Sequence, residues 1–293
     1  MTPPVLPSTM TDREFDVFRD LVRRETGIAL GPHKRALLEA RLTKRLRALR
    51  LPTFSAYHAY LRHLDVSGEE HTCFVNAVTT NETAFFREPA HFAHLLAEWL
   101  PARRAAAAIG DPRRLRAWSA ACSTGEEPYS IAMTLLAGLD DAAHWDLRIL
   151  ATDIDTDVLA RAAAAVYPRE AITRVPQDRL RRFFLRGVGP QTGAVRVRSE
   201  VRDLVAFRRL NLQAPAWPLH TAFDLIFCRN VLMYFDRPTQ AHLVSRLERM
   251  LAPHGLLVLG HAENLLGLGT DMQRVTSTIY RHPRAEDACN PPS

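Results

Sequence analysis

The sequence predicts an α/β protein, a parallel sheet covered by helices on both faces and preceded by an all-α N-terminal domain. Three observations carry this. Up to about residue 100 the apolar residues recur at helical spacing. From residue 115 onward, short apolar strands alternate with amphipathic helices, the pattern of a parallel sheet with crossover helices. At 293 residues, 47% hydrophobic and 24% charged, the chain is long enough for one large unit or two smaller ones.

Each element has its own signal. Thr11 and Glu14 form a capping box ahead of Phe15, Phe18 and Val22, and Gly27 is a stop. A second helix runs from about 33 to 50, with Leu38, Leu42 and Leu46 on one face. A third covers about 53–64 and a fourth about 69–78. Pro89 begins another, reaching about 100, and "PARRAAAAIGDPRR" (101–114) reads as a linker or frayed helix end. "LRAWSAA" then reads as a strand, "PYSIAMTLLAGL" as a helix, "LRILATDID" as a strand and "DVLARAAAAV" as a helix. "RGVGPQTGAVRVR" (186–198) breaks the alternation as a glycine-turned hairpin. "FDLIF" is a buried strand, "TQAHLVSRLERML" a helix and "GLLVLGHAE" the closing strand.

Composition narrows the function. "MTPPVLPSTM" lacks the basic start and apolar core of a signal peptide. No apolar run approaches the ~18–20 residues of a spanning helix. Cys73, Cys122, Cys228 and Cys289 are scattered, without a C-x-x-C pair, which argues against a disulfide framework or a zinc site. A reduced, cytoplasmic protein is expected. The formal net charge is +6. Between His33 and Arg50 lie seven Lys/Arg and one Glu, so one helix matches the excess of the whole chain. Such a helix suits nucleic acid, a membrane surface or an acidic protein, or is simply solvated.

Ligand sites in parallel sheets lie at the carboxyl ends of the strands. Three stretches fall there. "SAACSTGEEP" (119–128) has small residues and Gly125 for close backbone approach, but it is neither a P-loop nor G-x-G-x-x-G. Its acidic pair, Glu126 and Glu127, either complements a helix dipole or meets a cationic or hydroxyl-rich ligand. "ATDID" (151–155) places Asp153 where nucleotide-binding folds accept a ribose hydroxyl, with Asp155 or Thr156 as the next helix cap. "FCRNVLMYFD" (227–236) sets Arg229, Asn230 and Tyr234 at a strand exit. Upstream, "TTNETAFFRE" (79–88) mixes Asn81, Thr83 and Arg87 with Phe85 and Phe86, and fits neither a strand nor a helix stripe.

Together "NETAFFRE", "WSAACSTGEEPYSIAM", "ATDID", "IFCRNVLMYF" and "GHAEN" resemble, in order and spacing, the CheR-type chemotaxis receptor glutamate methyltransferases. The resemblance spans about residues 11–282. It implies a helical receptor-facing domain (11–88), a connecting helix and linker (89–114), and a class I, Rossmann-like methyltransferase domain (115–283) with a small β-subdomain inserted at about 183–203. It implies S-adenosylmethionine as cofactor, S-adenosylhomocysteine as product, and no metal. Cofactor contacts implied by motif are Asn81, Thr83, Arg87, Glu126 or Glu127, Asp153, Asn211, Leu212, Arg229 and Asn230. The stretch 79–88 then resembles a flap, its phenylalanines a core wedge. The basic helix resembles the family's receptor-facing helix, which points to Arg41, Lys44 and Arg47 as substrate contacts. Cys122 and Ala262 stand where alanine and serine are expected. The implied partner is the helical cytoplasmic region of chemoreceptors, with a receptor C-terminal peptide tethered at the β-subdomain. Nucleic acid, membrane insertion and a stable oligomer are not implied.

The chemistry asks little of the protein. A glutamate side chain, with an ordinary pKa of roughly 4.3, is already a carboxylate at neutral pH. Orientation and desolvation dominate, with Arg229 and Tyr234 as candidates for positioning the attacking oxygen. A methyltransferase for nucleic acid and a non-catalytic cofactor-sensing protein are the rival readings. The basic helix lacks interleaved aromatics, which counts against the first.

Overall fold

The structure is a computed structural model that describes residues 9–139 and 141–283. Cys289 and residues 1–8 of the "MTPPVLPSTM" stretch lie outside the described residues. The chain opens with α1 (Asp12–Thr26), α2 (Arg35–Leu49), α3 (Phe54–His63) and α4 (Glu69–Val78). Thr11 and Glu14 make the expected capping box, and Gly27, at φ 78°, ends α1. Leu38, Leu42 and Leu46 are buried against Phe18, Phe54, Tyr57 and Phe74, so the four helices share a core of their own.

Next, α5 (Pro89–His94) continues through a π turn at Leu95–Trp99 into α6 (Leu100–Ala108). The stretch read as a linker or frayed helix end is thus a helix end as far as Ala108. Pro101 has no N–H to return to the preceding turn, and the wider π turn just before it absorbs the misfit. Burial of Leu95, Trp99 and Leu100 in the main core holds the helix together.

The remaining elements are β1 (Arg114–Ala120), α7 (Glu126–Gly138), β2 (Asp146–Asp153), α8 (Thr156–Ala164), β3 (Val166–Pro168), α9 (Gln177–Phe183), β4 (Phe184–Arg186) and β5 (Ala194–Val197). After them come α10 (Ser199–Arg202), β6 (Val205–Arg209), β7 (Phe223–Cys228), α11 (Arg237–Met250), β8 (Leu251–Leu259), β9 (Gln273–Arg274) and β10 (Ile279–Arg281). The large sheet has the order β6-β2-β1-β7-β8-β10-β9. β6, β2, β1, β7 and β8 run parallel, and β10 and β9 add an antiparallel edge. All six residues of β7 are buried, as a central parallel strand requires. β6 and the β9–β10 pair are not visible in the sequence pattern. β6 has no buried residue, and the other two strands are only two and three residues long.

β3, β5 and β4 form a separate antiparallel sheet with β5 in the middle. The 186–198 stretch supplies β5 and the last residue of β4, which begins at Phe184. The third strand lies where the helix reading overran: Ala165, in the left-handed region at φ 54°, ends α8, and Val166 starts β3. In the large sheet the chain moves outward from β1 to β2 and β6 on one side, then returns to β7 and β8 on the other. The switch point lies between β1 and β7, where a crevice is expected at the carboxyl ends.

Candidate functional site

A cleft of ≈ 230 Å³ opens at that switch point, with the helical unit forming its opposite wall. It gathers Asn81, Thr83, Arg87, Glu127, Asp153, Asn211, Leu212, Arg229, Asn230 and Tyr234, which the sequence scatters over more than half its length. It does not include Glu126, Arg41, Lys44 or Arg47.

The turn after β1 builds the floor. Ala121 (φ 72°) and Ser123 (φ 50°) both lie in the left-handed region, at a cost of order 1–3 kcal/mol each. The N–H groups of Ala121 and Cys122 share the carbonyl of Thr152, which draws the turn against the end of β2. Gly125 follows at φ 95°, where a Cβ would stand 2.8 Å from Ala162 Cβ and 2.9 Å from the Tyr167 hydroxyl. Only glycine fits.

Two carboxylates stand over this floor. Asp153 Oδ2 accepts the Ser123 N–H at 2.8 Å, and Oδ1 accepts the Asp155 N–H at 3.0 Å. Burial pushes its pKa up, with the backbone donors opposing. A carboxylate offers about four lone-pair sites, so two remain for a ligand. Glu127 Oε1 accepts the Ser119 hydroxyl at 2.7 Å, and Oε2 meets Arg229 at 3.1 Å. Burial raises its pKa, and Arg229 works against the rise. Glu126 instead accepts the Thr124 hydroxyl at 2.6 Å within the first turn of α7, consistent with the dipole reading.

Arg229 is enclosed. Its side chain is 2% exposed and pairs with Glu88 at 2.9 Å and Glu127 at 3.1 Å. It also donates to the Arg87 carbonyl at 2.6 Å. Arg229 was expected at the pocket mouth, positioning an incoming oxygen. Its guanidinium is instead committed to two carboxylates and braces the wall. Burial alone would raise Glu88, but Arg229 and His261 together outweigh it and hold this carboxyl below the usual range. Glu88, His91 and His261 bring donor atoms within 4.8 Å of one another. A divalent ion there would have to share the Glu88 carboxylate with a buried guanidinium.

The segment 79–88 joins the two units. Asn81 Nδ2 donates to Asp155 Oδ2 at 2.6 Å, and the Asn81 carbonyl accepts the Ser123 hydroxyl at 2.9 Å. Arg87 donates to the Glu82 carbonyl at 2.8 Å. Phe85 packs edge-on against Tyr167 and Phe184, and Phe86 against Phe92. Both rings are buried wedges. Asp155, read from the sequence as a helix cap, does more. One oxygen caps α8 through Asp157 and Val158, while the other accepts Thr79 and Asn81. Asn76 bonds Thr156 in both directions, and Asn211 reaches the Glu25 carbonyl. These contacts link residues from 74 to 186 positions apart, and no local pattern announces them.

The basic helix is divided. Arg41 is half-buried and donates to the Val78 carbonyl at 2.6 Å and the Thr80 hydroxyl at 2.8 Å; burial lowers its pKa. It was expected as a substrate contact, and in the structure it fastens the start of segment 79–88. Arg45 pairs with Glu70 at 2.6 Å. Lys44 and Arg47 are exposed.

Residues 81–281 match the family model described as the CheR methyltransferase SAM binding domain, and residues 13–79 the CheR methyltransferase all-alpha domain. The chain is 46% identical over 270 residues to chemotaxis protein methyltransferase 2 of Pseudomonas aeruginosa, covering 92% of this chain and 93% of that protein. It is 43% identical over 272 residues to the chemotaxis protein methyltransferase of Escherichia coli, covering 92% of this chain and 91% of that one.

Proposed function

The chain belongs to the CheR methyltransferase family, and from that premise we infer that it methylates glutamate side chains of chemoreceptors. S-adenosylmethionine is the methyl donor, and S-adenosylhomocysteine and a glutamate methyl ester are the products. The observation that carries this reading is the convergence of Asp153 and Glu127 on one strained turn at the sheet's switch point. The donor set fits the cofactor. Asp153 has free lone pairs for a ribose diol, and Glu127 is a buried carboxylate suited to an ammonium group. The tight turn at 121–125 leaves room for the nucleoside against bare backbone. Asn211, Leu212 and Asn230 complete the wall, and Thr83 and Arg87 close it from the flap.

When bound, the cofactor supplies an electrophilic methyl group. The protein's own residues orient the partners and exclude water. Tyr234 sits half-buried in the cleft lining and serves to orient the glutamate oxygen. On the substrate side we assign Lys44 and Arg47, exposed on α2, to the acidic face of a receptor helix. We assign the receptor's C-terminal peptide to the small sheet, where Val166, Leu185 and Val188 are exposed apolar residues on or beside its outer strands. The neutral ester removes one negative charge from the receptor per turnover. Among the described residues no helix is long and apolar enough to cross a membrane.

The test is transfer of labelled methyl groups to purified receptor membranes, with release as methanol in base. Calorimetry with S-adenosylhomocysteine accompanies it. Asp153→Ala should weaken that binding by ~1.5–3 kcal/mol, the scale of a charged hydrogen bond. Unchanged affinity would remove Asp153 from the site, and absence of base-labile label would refute the function.

A further inference from the structure

We propose that Glu263 is a positioning residue whose carboxylate holds the Asn230–Met233 turn as one wall of the cofactor cleft. This rests on the reading of the cleft as a cofactor site. Glu263 lies in "GHAEN", just beyond β8, and is 6% exposed. Its Oε2 accepts the N–H groups of Gly260 and Asn230, each at 2.8 Å. Its Oε1 accepts those of Val231 at 2.8 Å and Met233 at 3.4 Å. Four backbone amides therefore converge on one side chain, an anion nest filled from within the chain.

The turn needs such a device. β7 ends at Cys228 and β8 at Leu259, neighbouring strands in parallel register. The chain leaving β7 bends at once, with Asn230 in the left-handed region at φ 58°. That conformation is disfavoured for a residue with a side chain and is held only by its surroundings. The two strand exits are also pressed together: a Cβ on Gly260 would lie 2.5 Å from Asn230 Nδ2 and 2.9 Å from Glu263 Oε2. The turn fixed in this way delivers Asn230, Val231, Met233 and Tyr234 to the cleft. Glu263 does not line the cleft itself, so its influence passes through the turn.

Glu263→Gln keeps the shape but replaces one accepting oxygen with an NH2 group, so the amides facing it lose their acceptor. Glu263→Asp keeps the charge one methylene short and serves if the glutamine variant fails to fold. Glu248→Gln is the control, since the Glu248 side chain accepts the Thr270 hydroxyl at 2.9 Å, away from the Asn230–Met233 turn, and lies outside the cleft lining. S-adenosylhomocysteine affinity is read by calorimetry well below the unfolding midpoint, where a purely stabilising role would not move it. Amide hydrogen exchange is read in the cofactor-free protein. Affinity should fall about tenfold, equivalent to ~1.4 kcal/mol, in Glu263→Gln. It should fall less in Glu263→Asp and stay unchanged in the control. Protection should be lost at residues 230–234 while α1–α4 and β1 keep theirs. Wild-type affinity in both Glu263 variants overturns the proposal, as does protection lost evenly across the sheet. A wild-type protein that binds no S-adenosylhomocysteine refutes the cofactor reading instead. The exchange pattern then decides independently whether Glu263 holds the turn.

Discussion

Single residues here carry consequences that their neighbours in sequence do not suggest. His91 is buried, its Nε2 2.7 Å from the Thr278 hydroxyl and its Nδ1 without a hydrogen-bond partner. Burial first, then the Arg229 charge with His261 and His94, pushes its pKa down to about 4, against the pull of Glu88. The unfolded value is about 6.5, so between the two the folded protein binds fewer protons than the unfolded chain. Stability is therefore lost as pH falls through about 6.5 to 4, by up to ~3 kcal/mol from this one group. Urea unfolding of His91→Gln at pH 5 and pH 7 should show a smaller pH difference than wild type. Asp155 offers a second test. Asp155→Ala removes a helix cap and the acceptor for Thr79 and Asn81 together, and should cost ~1–3 kcal/mol. Thermal unfolding measures the loss, and cleavage within 79–88 by a limiting protease should quicken. Asp153 was legible because a strand end is a fixed address in a parallel sheet. The latch made by Asp155 was not, because its partners lie more than seventy positions away.

At the scale of elements, α2 shows how one charged helix divides its work. Its leucine face was readable from spacing alone, whereas the partners of its arginines were not. Arg41 holds the carbonyl end of α4 and Thr80, so Arg41→Ala should weaken S-adenosylhomocysteine binding by about three- to tenfold, or ~0.7–1.4 kcal/mol, the scale of one ordinary hydrogen bond. Lys44→Ala with Arg47→Ala should leave that affinity alone and slow receptor methylation. The deficit should shrink as salt rises from ~0.05 M toward 1 M, because exposed charges are screened within ~3 Å at the upper end. Calorimetry and a salt series of methylation rates separate the two effects. Equal losses in both assays for all three residues would merge the two sides of the helix. The strands follow a similar logic. β1, β2, β7 and β8 were legible as apolar runs, but β6, β9 and β10 exist because a neighbouring edge is available to them.

Across the whole molecule, the cleft is closed by residues from Thr26 to Phe235, drawn from both units. Ligand at a hundredfold excess over its dissociation constant should therefore stabilise the entire chain by ~2.7 kcal/mol. That is a rise of about 5 °C in unfolding midpoint for a protein of this size, and scanning calorimetry reads it directly. A rise confined to one of two separate transitions would mean that the units do not close together. The strand order also has a bearing on how the protein is made. β1 lies at the centre of the sheet, yet its partner β7 is synthesised about a hundred residues after it. At ~5–20 residues per second, a ribosome takes roughly 5–20 s to deliver that partner. Throughout that interval β2 and β6 can cover only the other side of β1, and the edge that β7 will take has no strand beside it. Pairing of that edge therefore waits until the last third of the chain has left the exit tunnel.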